Sequence, residues 1–161
     1  MSLPPPAPDS IALELGVRVE VLVNNAGYGI YAPFSESGRD REIEQPHLLA
    51  EAPVDPMTRF LPGMVERRRG AVINMSSAAG FQPLPYNAGH SAAKGYLLLL
   101  SEAVHAEVEE HGVTVTAVCP DPLPSEFQQA SDAGYFADRL PKMTFVSAER
   151  AARGARRARR G

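Results

Sequence analysis

Apolar positions divide the chain into short β-rich runs separated by longer stretches of helical periodicity. Val19-Glu-Val-Leu-Val-Asn24 is β-branched and flanked by Gly16 and by Ala26-Gly27, which predicts a buried strand. Ala71 to Ser76 is a second such run, with polar Arg67 to Gly70 leading in, and Val113 to Cys119 is a third. Between the last two, His90 to His111 reads as one long helix with two apolar stripes. Leu97, Leu100, Val104 and Val108 make the first, which can cover a sheet. Ala92, Tyr96, Leu99 and Ala103 make the second, which either meets a partner helix or is buried within the same molecule. Gly112 supplies the stop, and Glu107, Glu109 and Glu110 oppose the helix dipole there and are expected to face solvent.

The stretch between the first two strands is less regular. Tyr28 to Arg41 reads as loop. Pro46, Pro53 and Pro56 follow, and an interior proline costs a helix roughly 3 kcal/mol, so the expectation is a short helix from Met57 to Arg68 rather than a continuous one from Gln45 to Arg67. Met1 to Ser10 is Pro-rich and without periodicity, which predicts a disordered leader. Residues 147 to 160 read as a helix capped by Ser147, with Glu149 in its first turn. Strands alternating with helices point to an α/β fold with a parallel sheet.

Composition narrows this picture. With 161 residues and 44% hydrophobic content there is enough apolar material for one domain. A net charge of −3 gives no general attraction to nucleic acid or to an anionic membrane. The arginines between Arg150 and Arg160 therefore read as a solvated helix end rather than a nucleic-acid contact. Cys119 is the single cysteine and cannot form an internal disulfide, so the expectation is a cytoplasmic protein. No apolar run approaches the roughly 18 residues of a membrane helix, and Met-Ser-Leu-Pro-Pro-Pro lacks the form of a signal peptide. The pattern assigns no metal ligands.

The candidate chemistry lies between Ala71 and Lys94. A strand ends in Ser76-Ser77, a Gly/Pro-rich loop follows, and a helix opens with His90 and Lys94 at i and i+4, on one face. A hydroxyl at a strand tip facing a proton-transfer group beside a lysine makes an acid/base site. On the other reading, the serines end the strand and cap a turn, while Lys94 is a solvated charge.

Four ordered motifs carry a family resemblance. Asn24-Asn25-Ala26-Gly27 stands at a strand end, followed by Asn74-Met75-Ser76-Ser77-Ala78-Ala79-Gly80, by Pro85 to Lys94, and by Cys119-Pro120-Asp121-Pro122. Together, from about Ile11 onward, the chain resembles the short-chain dehydrogenases/reductases. The resemblance implies an NAD(P)-dependent interconversion of alcohols and carbonyls by hydride transfer. It places Ser77 on the substrate oxygen, puts His90 where the family has its catalytic tyrosine, and puts Lys94 on the nicotinamide ribose hydroxyls. Asn25, Ala26 and Gly27, with Lys94, would contact the cofactor. The loop that covers the nicotinamide would include Pro120, Asp121 and Ser125, at the last two of which the family usually has glycine and threonine. Residues 128 to 142 would form a variable substrate lid. Leu49 falls at or next to the place of the family's catalytic asparagine.

Relative to the family pattern, the glycine-rich phosphate-binding turn has no counterpart upstream of Val19. The expectation is a partial Rossmann-like doubly wound parallel sheet without the N-terminal βαβαβ half, in which residues 11–161 form the C-terminal part of the domain. An impaired oxidoreductase with weak NAD or NADP binding follows, whose substrate would be a small alcohol or carbonyl compound. Alternatives are a non-catalytic member that pairs with a complete enzyme, or one half of a split enzyme. Homo- or hetero-oligomers would form through the 90–111 helix and the open strand edge. Tyr86, the nearest phenol, is expected in the loop before that helix.

Overall fold

The computed structural model describes residues 18–120. The expected leader, Asp121, Ser125, the 128–142 lid and the 147–160 helix lie outside the described residues. Three strands, β1 (Val21–Asn24), β2 (Gly70–Met75) and β3 (Val113–Val118), form a parallel sheet in the order β1-β2-β3. The register is in step throughout, with Val21 opposite Ala71 and Val72 opposite Val115. Parallel neighbours need a crossover, and both crossovers are helical. The second is α3 (Ala88–Val108), continued by a 3₁₀ turn at Glu109–His111. The chain reverses at Gly112, whose φ of 69° and approach to the Arg68 carbonyl leave no room for a side chain.

The first crossover corrects the sequence reading. Helix α1 (Arg39–Pro46) runs into a π-helical segment, His47–Glu51, and on into α2 (Ala52–Glu66), so the chain is helical from Arg39 to Glu66 in spite of its prolines. The wider turn explains how. The Ala52 N–H bonds the His47 carbonyl five residues back, which shifts the hydrogen-bond register by one. Pro53 then falls in the first turn of α2, where a missing N–H costs little. Only the more exposed Pro56 and Pro62 interrupt the ladder of α2 itself.

The main core is Met57 and Met64 from α2, Val72 from β2, Val108 from α3, and Val113 and Val115 from β3. A small satellite joins Leu49 and Ala50 of the π-helical segment to Ala93 of α3. A buried polar chain crosses the layers. Asn24 Nδ2 donates to Asn74 Oδ1 at 2.7 Å, and Asn74 Nδ2 donates to Ser101 Oγ at 2.9 Å. Ser101 passes its own proton to the Leu97 carbonyl at 2.6 Å, so the wholly buried Asn74 and Ser101 are satisfied.

The two stripes of α3 part ways. Leu97 and Val108 are buried, whereas Ala92, Tyr96, Leu99 and Ala103 are exposed, Leu99 at 67%. Burial of both stripes by the described residues is thereby excluded. Among the described residues β1 pairs only with β2, and Val23 is 54% exposed.

Candidate functional site

In a parallel sheet all strands point one way, so their carboxyl ends share one edge and ligands bind in the crevice beyond it. That edge here holds Asn25 to Gly27 after β1, Ser76 and Ser77 after β2, and Cys119 and Pro120 after β3. The first turns of α3 stand against it, because Gly80 lets the β2–α3 connection touch the helix backbone. A Cβ on Gly80 would lie 2.9 Å from the Lys94 carbonyl carbon and 3.0 Å from the Gly95 nitrogen. Ser76 closes the joint by donating to the Lys94 carbonyl at 2.7 Å.

Ser77 serves in the way the plainer reading allowed. Its Oγ accepts from Ala79 N at 3.1 Å and caps the 3₁₀ turn Ala78–Phe81. Accepting leaves the hydroxyl proton available to a ligand, so capping and substrate contact are compatible. Lys94 departs from that reading: it is 6% exposed rather than solvated, and its Nζ donates to the Met75 carbonyl at 2.5 Å. Burial draws its pKa down to about 8, opposed by Cys119. His90 is equally buried, and burial followed by the nearby Lys94 charge draws it down to about 4. The imidazole is uncharged at neutral pH.

Three further sets of contacts shape the site. The His90 ring hydrogen-bonds the backbone of Tyr28, whose carbonyl also accepts from Nε2 of the fully buried Gln45 at 3.3 Å. Leu49, 1% exposed, is aimed by the π-helical segment at Gly27, where a Cβ would meet Leu49 Cδ2 at 2.7 Å and Lys94 Nζ at 3.9 Å. Cys119 hydrogen-bonds Ser76 and the Ser77 backbone, and burial pushes its thiol up. The family resemblance had pointed to Leu49, at or next to the asparagine position; a backbone carbonyl as partner carries no signal in the sequence. Tyr86 stands in the turn before α3 with φ of 68°, half exposed.

The structure therefore brings Gly27, Leu49, His90 and Lys94 together, with Ser76, Ser77 and Cys119 joined on the adjacent strand ends. Asn25 and Ala26 are exposed at the tip of β1. Gly27 has no side chain, so the Lys94 amine and Leu49 pack close to the backbone just beyond that tip, an amine donor beside the strand ends that fits a hydroxyl-bearing group. Among the described residues no cluster of His, Cys, Asp or Glu could hold a metal ion, and no helix is long and apolar enough to cross a membrane.

Comparison with known proteins agrees with this architecture. A family model described as short chain dehydrogenase matches residues 9–135. Very-long-chain 3-oxoacyl-CoA reductase of Anas platyrhynchos is 33% identical over 137 residues, covering 83% of this chain and 43% of the relative. The Bos taurus protein of the same name is 38% identical over 109 residues, covering 65% and 35%. The chain thus spans less than half the length of these curated relatives. Among solved structures, a gluconate 5-dehydrogenase from Burkholderia cenocepacia in complex with NADP and tartrate superposes with a TM-score of 0.79 at 22% identity, covering 91% of this chain and 59% of that one. A short-chain dehydrogenase from Sphingobium yanoikuyae in complex with NADPH gives 0.76 at 24%, covering 92% and 59%. These likenesses establish the Rossmann-like fold, and with the family match they lead to one conclusion: the chain belongs to the short-chain dehydrogenase/reductase family.

Proposed function

We propose that this chain forms the nicotinamide-facing part of an NAD(P)-dependent oxidoreductase for an alcohol/carbonyl pair, and that His90 impairs its proton transfer. The observation that carries the reading is the placement of Ser77, His90 and Lys94 at the carboxyl ends of three parallel strands, with His90 neutral and tied to the Tyr28 backbone. The names of the curated relatives make a 3-oxoacyl thioester the first substrate to test.

Asn25, Ala26, Gly27, Lys94 and Pro120 would hold the dinucleotide, which supplies the hydride when bound. Ser77 offers its hydroxyl proton to the substrate oxygen while its lone pair stays on Ala79 N. Lys94, with a pKa of about 8, is mostly protonated at pH 7 and places positive charge at the tip of β1. The weak step is the proton. A carbonyl oxygen taking on negative charge needs an acid, and with a pKa of about 4 the imidazolium of His90 is present in only roughly one molecule in a thousand at pH 7. Run in reverse, the same ring is a weak base.

The test is NADPH-dependent reduction of a short 3-oxoacyl thioester by the wild-type chain and by His90→Tyr. A rise of about 100-fold in the variant supports the reading, since general acid catalysis contributes roughly 10²–10⁴-fold. A wild-type turnover near the ordinary enzyme median of about 10 s⁻¹ overturns the impairment.

A second reading, a member that acts by association, is favoured by the exposed stripe Ala92, Tyr96, Leu99 and Ala103. Beside it an open apolar groove of about 580 Å³ runs along Phe81, Pro83, Leu84, Pro85 and Ala88. In that reading α3 and the β1 edge meet a second copy or a complete family member.

A further inference from the structure

The Lys94 amine has a chemistry that the reductase reading leaves unused. It is buried, it makes one hydrogen bond, to the Met75 carbonyl, and among the described residues no carboxylate pairs with it. Leu49 and Gly27 line its outer side, and His90 shares its helical face one turn away. A lysine held in apolar surroundings without a counter-ion favours its uncharged form, and burial brings its pKa to about 8. The uncharged amine can keep one N–H on the Met75 carbonyl, and His90, one helical turn away, adds no charge of its own at neutral pH.

We propose that Lys94 is a carbonyl-capture site, whose Nζ condenses with small aldehydes or ketones to an imine without any dinucleotide. The Nζ lone pair forms the N–C bond as the carbonyl π bond opens onto oxygen. One proton passes from the nitrogen to that oxygen. The oxygen then leaves as water with a second proton from the nitrogen, and the C=N bond closes. No oxidant or reductant enters the step. The chain beside the amine, 3.9 Å from the position of a Cβ on Gly27, is exposed at Asn25 and Ala26.

The sequence makes the test clean, because its only lysines are Lys94 and Lys142. The full chain at pH 8 is treated with acetaldehyde and sodium cyanoborohydride, which reduces imines as they form, and alkylation is followed by peptide mass mapping. Lys142 serves as the internal reference. The free-amine fractions at pKa values of about 8 and 10.4 differ roughly 100-fold at this pH, so even with restricted access Lys94 is expected to react at least about tenfold faster. In guanidinium the ratio is expected to fall to about one. Equal labelling of the two lysines in the folded chain overturns the proposal, as does a preference that survives unfolding.

Discussion

At the scale of single residues, His90 and Lys94 set the pH response. The folded pKa of His90 is about 4 against 6.5 when free, so between these values the unfolded chain holds the extra proton and stability falls as pH drops. The difference corresponds to about 3 kcal/mol. Lys94, at about 8 against 10.5, opens a second window of similar size, in which stability rises with pH between those limits. Urea unfolding across pH should show both slopes, with His90→Asn flattening the acid one and Lys94→Met the alkaline one. Two glycines should respond with opposite signs. Gly80→Ala drives a Cβ into the α3 backbone and is expected to cost about 1–3 kcal/mol, whereas in Gly63→Ala the added Cβ meets only the movable Arg67 guanidinium and helix propensity gains about 0.5–1 kcal/mol; thermal unfolding distinguishes them. Ser77, His90 and Lys94 were legible in the sequence because a strand end and an i,i+4 pair are local patterns. The Tyr28 and Gln45 contacts were not, since seventeen residues separate the two and nothing in their types marks the meeting.

At the scale of elements, the strands were legible within one or two residues because each is a β-branched run between turn signals. The first crossover was misread because proline was weighed against an α-helical ladder alone. The π-helical turn changes which donors the ladder needs, and a sequence shows no period for a single widened turn. That turn also sets the environment of the site by delivering Leu49 over Gly27 and Lys94. Leu49→Ala is therefore expected to cost about 2–5 kcal/mol as a core truncation and, by admitting water, to move the Lys94 pKa from about 8 back toward 10.5. Alkylation rate against pH reads the second effect independently of the first. An unchanged Lys94 profile in a folded Leu49→Ala chain would remove Leu49 from the account of that shift.

At the scale of the whole molecule, the sheet and its two helical crossovers place every described site residue on one edge, while the outer stripe of α3 remains exposed. Sedimentation velocity reads the second reading directly: concentration-dependent association of the wild-type chain, abolished by Leu99→Glu, is expected if that stripe is an interface, and a monomer at all concentrations in both chains excludes self-association through it. The hydrogen-bonded line from Asn24 through Asn74 to Ser101 has a geometric meaning for the site as well. His90 precedes Ser101 by eleven residues and Lys94 precedes it by seven, and at 100° per residue both lie within about 20° of its azimuth. Pinning Ser101 to Asn74, near the carboxyl end of β2, therefore fixes the rotation of α3 about its own axis. Like an indexing pin on a shaft, one buried hydroxyl two to three turns away determines which way the imidazole and the amine point.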